Sequence, residues 1–286
     1  MKVLGIDIGG TNLRAGLVED NSVVQIESLK IRKGGSEAEI MSELDRLIGR
    51  LMEDKIEGIG IGVPSVVDPV RGIVYDATNI PAWKEVHLKE QLEARYKIPV
   101  YVNNDANCFV MGEKYFGKVK EYKNIVGLIT GTGLGSGLVL NNQLYAGENC
   151  GAGEFGMIPF RDHDFEYYCS GQFFEKVHKT TGEVLHKRAE HGESEALDIF
   201  TQFGSNLGEL IKVIMLAIDP EIFILGGSAS KSYKFFKDAM WKSIEKFVYG
   251  HSLDKIKIEV SEIAHIAILG AAALYFDAIK EGMHQG

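Results

Sequence analysis

Cysteine and proline are scarce, with 3 Cys and 6 Pro in 286 residues. Cys108, Cys150 and Cys169 are odd in number, far apart and without a Cys-x-x-Cys pair. That excludes a disulfide framework and argues for a reducing compartment. No apolar run approaches the roughly 20 residues of a membrane helix. Met1 leads directly into a strand-like run, so no signal peptide is expected. Together these give the expectation of a cytoplasmic protein with no membrane partner. Positive charge is also short: 31 Lys and Arg face 40 Asp and Glu, for a net charge of −9. A protein that grips nucleic acid concentrates cations to displace counterions. Here the densest basic stretch, Lys114 to Lys123, is interleaved with Glu and Tyr. No nucleic-acid partner is expected. The 8 histidines show no metal-ligand spacing, and His163 between Asp162 and Asp164 reads as a loop cluster.

What the sequence has in excess is glycine, at 33 residues. Many glycines with few prolines point to tight turns that approach a ligand. The length suggests two domains. Short apolar and alternating runs at Val3–Ile8, Asn12–Val18 and Val23–Ile31 predict a three-stranded meander, and helical spacing follows over Ser36–Leu51. A second meander begins at Asn124–Thr130. Shifted by 121 positions, Gly10, Thr11, Leu13, Gly16, Leu17, Val18 and Asn21 fall on identical residues, Gly131 to Asn142. This reads as a duplicated unit. Helices over Gln172–Lys179, Ala196–Ile218, Tyr233–Val248 and roughly Ala267–Lys280 alternate with strands at Ile222–Leu225 and Ile256–Val260. The fold class is therefore α/β.

Three elements carry chemistry. Each meander runs into a glycine-threonine turn: Asp7, Gly9, Gly10, Thr11 and Asn12 in the first, Gly131, Thr132 and Gly133 in the second. Such turns close backbone N–H groups on an anion; each alone is equally a plain hairpin turn. A pair suits a triphosphate, and Asp7 could reach Mg²⁺ directly or through water. At the end of the strand Val100–Val102 stand Asn103, Asn104 and Asp105. A carboxylate there suits proton abstraction from a sugar alcohol, and an Asx turn capping the next helix is the alternative. The strand Ile222–Leu225 ends in Gly226-Gly227, which lets a flat ring approach the backbone or simply ends the strand in a turn. Glu154 and Glu166 lie in polar, Gly-rich sequence.

Taken together, these motifs resemble the ROK family (repressors, open reading frames and sugar kinases) over nearly the whole chain. The resemblance rests on Asp7–Arg14, Gly62–Asp68, Asn79–Trp83, Asn104–Asn107, Gly131–Gly137, Gly153–Gly156, Glu166–Gly171 and Gly226-Gly227. It implies two similar actin- and hexokinase-type (ribonuclease H-like) domains around an interdomain cleft. One is a smaller N-terminal sugar kinase domain, 1–107 plus 266–286, and the other a larger C-terminal domain, 108–265. It implies an ATP-dependent hexose kinase with ATP, Mg²⁺ and a monosaccharide as partners, glucose first among the sugars, and a homodimer. Asp105 would be the general base. Asn104, Glu154 and Glu166 would bind sugar hydroxyls, with Ser65 and Thr78 facing the sugar. Gly10, Thr11, Thr132 and Gly133 would hold phosphates, and Gly226-Gly227 the adenosine.

The sequence departs from the family in one place. Many members carry Glu-x-Gly-His and then Cys-x-Cys-Gly-x-x-Gly-Cys-x-Glu, whose His and three Cys bind a structural zinc. Here the His position is Met157, and Arg161–Phe165 precedes Glu166 without a cysteine. No structural zinc is expected, and packing of Phe155, Ile158, Phe160, Phe165 and Tyr168 should hold the loop. Two further readings stand beside the kinase. One is a sensor of the same fold that binds sugar or nucleotide without turnover. The other is a transcriptional repressor, for which the phosphate turn at Asp7 leaves no preceding helix-turn-helix.

Overall fold

Each glycine turn sits between the first two strands of a meander, as the alternating pattern predicts. The computed structural model describes residues 1–32, 34–53, 55–77, 80–148 and 151–284, with side chains to residue 280. In the first meander β1 (Lys2–Ile8), β2 (Asn12–Glu19) and β3 (Ser22–Lys30) pair antiparallel. Helix α1 (Glu37–Leu51) follows, started by a capping box in which Ser36 and Glu39 satisfy each other's backbone N–H. Its Ile40, Leu44, Leu47, Ile48 and Leu51 are buried on one face, each contributing ~1.5–3 kcal/mol by leaving water. Strand β4 (Ile56–Val63) runs parallel to β1.

Next come β5 (Val66–Asp68), β6 (Ile73–Tyr75) and β7 (Glu85–His87), which form a small antiparallel sheet. The sequence reading contained no such sheet. After α2 (Leu88–Tyr96), β8 (Val100–Asn104) lies parallel to β4 and delivers α3 (Asp105–Phe116). The five-stranded order is β3-β2-β1-β4-β8.

The second half repeats the plan with β9 (Ile125–Thr130), β10 (Leu134–Leu140) and β11 (Gln143–Leu144). A short hairpin follows, β12 (Pro159–Phe160) with β13 (His163–Asp164), and then α4 (Phe165–Cys169). The helix expected over Gln172–Lys179 is a single helical turn, Phe173–Val177. Helix α5 (Gly182–Glu190), capped by Thr181, was not expected. Then come α6 (Ser194–Ile218), β14 (Ile222–Gly226), α7 (Tyr233–Ile244), α8 (Gly250–Leu253), β15 (Lys257–Val260) and α9 (Ile266–His284). The second sheet runs β11-β10-β9-β14-β15, with β10 antiparallel to β9 and β14 parallel to both β9 and β15, the succession that β2, β1, β4 and β8 follow in the first. Even the hairpin tips match: Asp20 and Asn21 both have positive φ, as do Asn141 and Asn142 exactly 121 positions on. Asp and Asn tolerate that conformation, which the strand twist favours at a two-residue turn.

The chain divides into two compact units, Met1–Glu121 with Leu144–Ala152 and Ile263–Gly286, and Tyr122–Gln143 with Gly153–Glu262. The boundary expected after residue 107 would cut α3. That helix stays whole in the first unit because it packs along α9. Helix α9 also lies directly on β1 and β4. A Cβ at Gly5 would stand 2.0 Å from the Ile268 carbonyl oxygen, and one at Gly60 would stand 1.8 Å from that of Ala271. Backbone meets backbone here, and only glycine leaves room. Among the described residues no helix is long and apolar enough to cross a membrane.

Candidate functional site

In the first unit the parallel strands β4 and β8 end side by side, and Asp105 is the first residue of α3 beyond that edge. Its neighbours Ala106–Val110 are buried while Asp105 itself is exposed. Asn104 is the helix cap. Its Oδ1 accepts from the Ala106 N–H at 2.8 Å, and its Nδ2 donates to the Ser65 carbonyl at 3.1 Å. The capping and ligand readings of Asn104 therefore describe one side chain, already pinned on both ends. The Ser65 hydroxyl donates to the Tyr75 carbonyl, so the residue ties the small sheet to this edge. Thr78 and Asn79 lie outside the described residues.

Behind Asp105, Asn107 Nδ2 donates to Asn103 Oδ1 at 2.9 Å, and the same oxygen accepts the Asn104 N–H at 2.8 Å. The turn that presents Asp105 is thus clamped from its buried side. Beneath it Cys108 is buried. Burial first, and then the charges of Asp105 and Asp7, hold its thiol well above the ordinary range.

The first glycine turn is closed by the Gly9 N–H donating to the Asn12 carbonyl at 2.9 Å. Gly10 lies at its tip, and Thr11 and Asn12 are exposed. Asp7 is held by a residue the sequence reading did not single out. Arg14 donates to Asp7 Oδ2 from Nε at 3.1 Å and from Nη2 at 2.7 Å. The hairpin register pairs Asp7 with Arg14, and period-2 alternation through the turn would have found it.

In the second unit the Gly131–Gly133 turn borders a cavity of about 430 Å³. Gly131 and Thr132 line it, together with Phe174, His186, Lys231 and Ser232. His186 Nδ1 is 2.8 Å from the Ser232 hydroxyl, and its Nε2 is 3.4 Å from Glu190 Oε1. Gly226 and Gly227 stop just short of the lining, which their successor Ser228 joins. Gly227 has φ +86°, and a Cβ there would stand 2.4 Å from the Thr130 carbonyl oxygen. No other residue makes that turn without strain.

Glu154 and Glu166 also belong to this unit. Burial first, and the negative charge of Glu166 second, raise the Glu154 carboxyl above its ordinary value. A carboxyl raised in the folded state favours folding while protonated, and that contribution is lost as pH climbs past its unfolded value of 4.5. Glu154 meets solvent, so the effect is modest. Glu154→Gln should melt slightly above wild type at neutral pH and coincide with it near pH ~4. A gap that widens on acidification would reverse the assignment.

Of the side chains expected to hold the loop around Arg161, Phe160, Phe165 and Tyr168 pack on one another, and Arg161 joins them. Phe160 and Phe165 stack at 4.3 Å, and Tyr168 meets Phe160 edge-on at 5.6 Å. The Arg161 guanidinium lies 4.9 Å from the Phe160 ring and 5.0 Å from that of Tyr168. It also donates to Asn206 Oδ1 at 2.8 Å. Cys169 is a buried free thiol, and Met157 is exposed. Cys150 lies outside the described residues. Among the described residues no group of three or more His, Cys, Asp or Glu could hold a metal ion. A cation–π pair with a charge-assisted hydrogen bond should be worth about 2 kcal/mol, or roughly 4–8 °C in Tm. Arg161→Ala should show that loss, while a chelator should leave wild-type Tm unchanged. One zinc per chain by elemental analysis, with unfolding on chelation, would contradict this.

The sequence matches the ROK family over residues 3–278. The glucokinase of Streptomyces coelicolor is 29% identical over 281 residues, covering 86% of this chain and 88% of that protein. A ROK family glucokinase from Streptomyces griseus, solved in complex with glucose and AMPPNP, superposes with TM-score 0.81 at 25% identity, covering 96% of this chain and 99% of that one. A ROK family transcriptional regulator, a homologue of the E. coli MLC protein, superposes with TM-score 0.89 at 22% identity over 99% of this chain and 79% of its own; it shares the fold. The chain is a member of the ROK family and has the actin- and hexokinase-type α/β fold of its sugar kinases.

Proposed function

We propose that the chain is an ATP-dependent hexose kinase that transfers the γ-phosphoryl group of ATP to a sugar hydroxyl, with glucose first among the acceptors. The observation that carries this reading is Asp105, an exposed carboxylate on the first residue of α3, with Asn104 and Ser65 fixed beside it. In this reading the sugar oxygen bonds to the γ-phosphorus, its proton passes to an Asp105 carboxylate oxygen, and the bond to the bridging oxygen breaks to release ADP. Phosphoryl transfer asks little covalent chemistry of a protein and much positioning. A clamped turn beneath the base supplies it.

The nucleotide takes the cavity of the second unit, whose volume of about 430 Å³ suits a ligand of that size. The ring walls of Phe174 and His186 and the cation of Lys231 supply apolar and charged contacts. The Gly131 N–H closes the turn on the Gly133 carbonyl at 2.9 Å, which leaves the backbone donors of Thr132 and Gly133 for phosphates; in the first unit Gly10 and Thr11 offer donors of the same kind. Gly226-Gly227 keeps the backbone low beside the adenosine. Mg²⁺ arrives with ATP as part of the substrate, and Asp7 would hold it through its second oxygen or through water, since Arg14 occupies Oδ2. In the first unit Ser65, Thr78 and Asn104 offer partners for sugar hydroxyls; in the second, Glu154 offers a carboxylate for the same chemistry, as does Glu166 through lone pairs its protein partners leave.

Met157, exposed where many family members have histidine, motivates a second reading, binding without turnover. A coupled ADP-release screen over about a dozen monosaccharides, run beside calorimetric binding, separates the two. ADP released with one sugar establishes the kinase. Sugar binding with no ADP release from any acceptor establishes the sensor.

A further inference from the structure

We infer that Glu166 is a positioning residue that holds the Gly131–Leu134 turn in its phosphate-binding shape, and that Gln172 in turn holds Glu166. This rests on the reading of that turn as part of the nucleotide site. Glu166 reaches the turn itself: its Oε2 accepts the Leu134 N–H at 2.9 Å. Its other oxygen, Oε1, accepts from Gln172 Nε2 at 2.7 Å. Gln172 is oriented for this by Lys176, whose Nζ donates to Gln172 Oε1. A second tie joins the same segments, the Gly171 N–H donating to the Gly131 carbonyl at 2.7 Å.

The residue types follow from this geometry. Both partners of Glu166 are donors, and only a carboxylate presents acceptors on both sides at once. Glutamine at 166 would turn an NH₂ against one donor and leave it without its acceptor. Gly133 is constrained too, because a Cβ there would stand 2.7 Å from Glu166 Oε2. Any side chain at 133 would push the carboxylate off the Leu134 amide. The turn's glycine therefore serves the approach of Glu166, apart from any approach of a phosphate. A sugar hydroxyl that competed for Glu166 would act on the turn through the same carboxylate.

Exchanging the two residues tests the assignment. Glu166→Gln alone should accelerate hydrogen exchange at the Leu134 amide and raise KM for ATP roughly tenfold, the equivalent of one charge-assisted bond. Gln172→Glu alone places two carboxylates in contact and should do no better. The double exchange, Glu166→Gln with Gln172→Glu, restores a donor facing an acceptor. It should bring Leu134 exchange and KM for ATP back to within about threefold of wild type. A residue that only bound sugar would give another pattern: KM for sugar raised in both Glu166→Gln proteins, with Leu134 exchange and ADP affinity as in wild type. That pattern overturns the inference, as does a double exchange that recovers neither readout. Absence of ADP binding to the wild-type protein would instead overturn the nucleotide reading, and the exchange measurement would still judge the role of Glu166.

Discussion

Asp105→Ala, or the near-isosteric Asp105→Asn, is expected to lower kcat at least about a hundredfold while the affinity for sugar changes far less. A positioned base contributes roughly 10²–10⁴-fold by accepting the proton as the new bond forms. The group acts on the transition state, so its removal should lower kcat and kcat/KM together. Folding should survive, since Asp105 is exposed and Asn104 keeps its cap on Ala106. Steady-state kinetics with equilibrium sugar binding measure both quantities. Near wild-type turnover in either variant would exclude Asp105 as the base.

The largest stability effect is expected at Gly60. Its Cβ would stand 1.8 Å from the Ala271 carbonyl oxygen and 2.5 Å from the carbonyl carbon. Main-chain atoms cannot rotate away, so the whole of α9 must lift from β4. Overpacking typically costs ~1–3 kcal/mol with side chains as neighbours, and a backbone neighbour places Gly60→Ala at or above that upper end. Because α3 packs on α9, turnover should fall as well as Tm. Gly49→Ala is the control. Gly49 is exposed within α1, a Cβ there meets nothing within 4 Å, and alanine should stabilise by up to ~1 kcal/mol. Equal melting temperatures for the two variants would mean that α9 is not seated as described.

The elements that could be read from the sequence are those whose signal is local. The β1–β2 and β9–β10 hairpins carry alternating apolar residues and duplicated turns, and α1 announces itself through Ser36, Glu39 and its apolar spacing. Strands β5, β6 and β7 have three residues each, too few for alternation to show. Helix α5 buries only Leu185 and Ala189, a narrow stripe beside a glycine that reads as a turn. Site residues divide the same way. Asp105 stands at a strand end, where a carboxylate draws attention. His186 meets Ser232 across 46 positions, and nothing local marks either one. Arg14 was within reach through the register, but a charged residue on a strand reads as solvated until its partner is placed. Glu166 was found for its family position, whereas its bonds to Leu134 and Gln172 depend on tertiary packing.

The return of α9 to the first unit has a consequence for how the protein is made. Strand β8 ends at Asn104 and α9 begins at Ile266, so about 160 residues separate them, a synthesis time of roughly 10–30 s at ~5–20 residues per second. Throughout that interval the glycine faces of β1 and β4 have left the ribosome without the helix that covers them. Val3, Val18 and the sheet-facing side of the nascent sheet wait for Ile268, Leu269, Ala272 and Tyr275 to arrive. The second unit needs only Tyr122–Gln143 and Gly153–Glu262, so all of its residues have been translated before α9 exists. The unit encoded first is thus completed after the second, and the helix bearing Asp105 acquires its α9 support only once α9 has been translated.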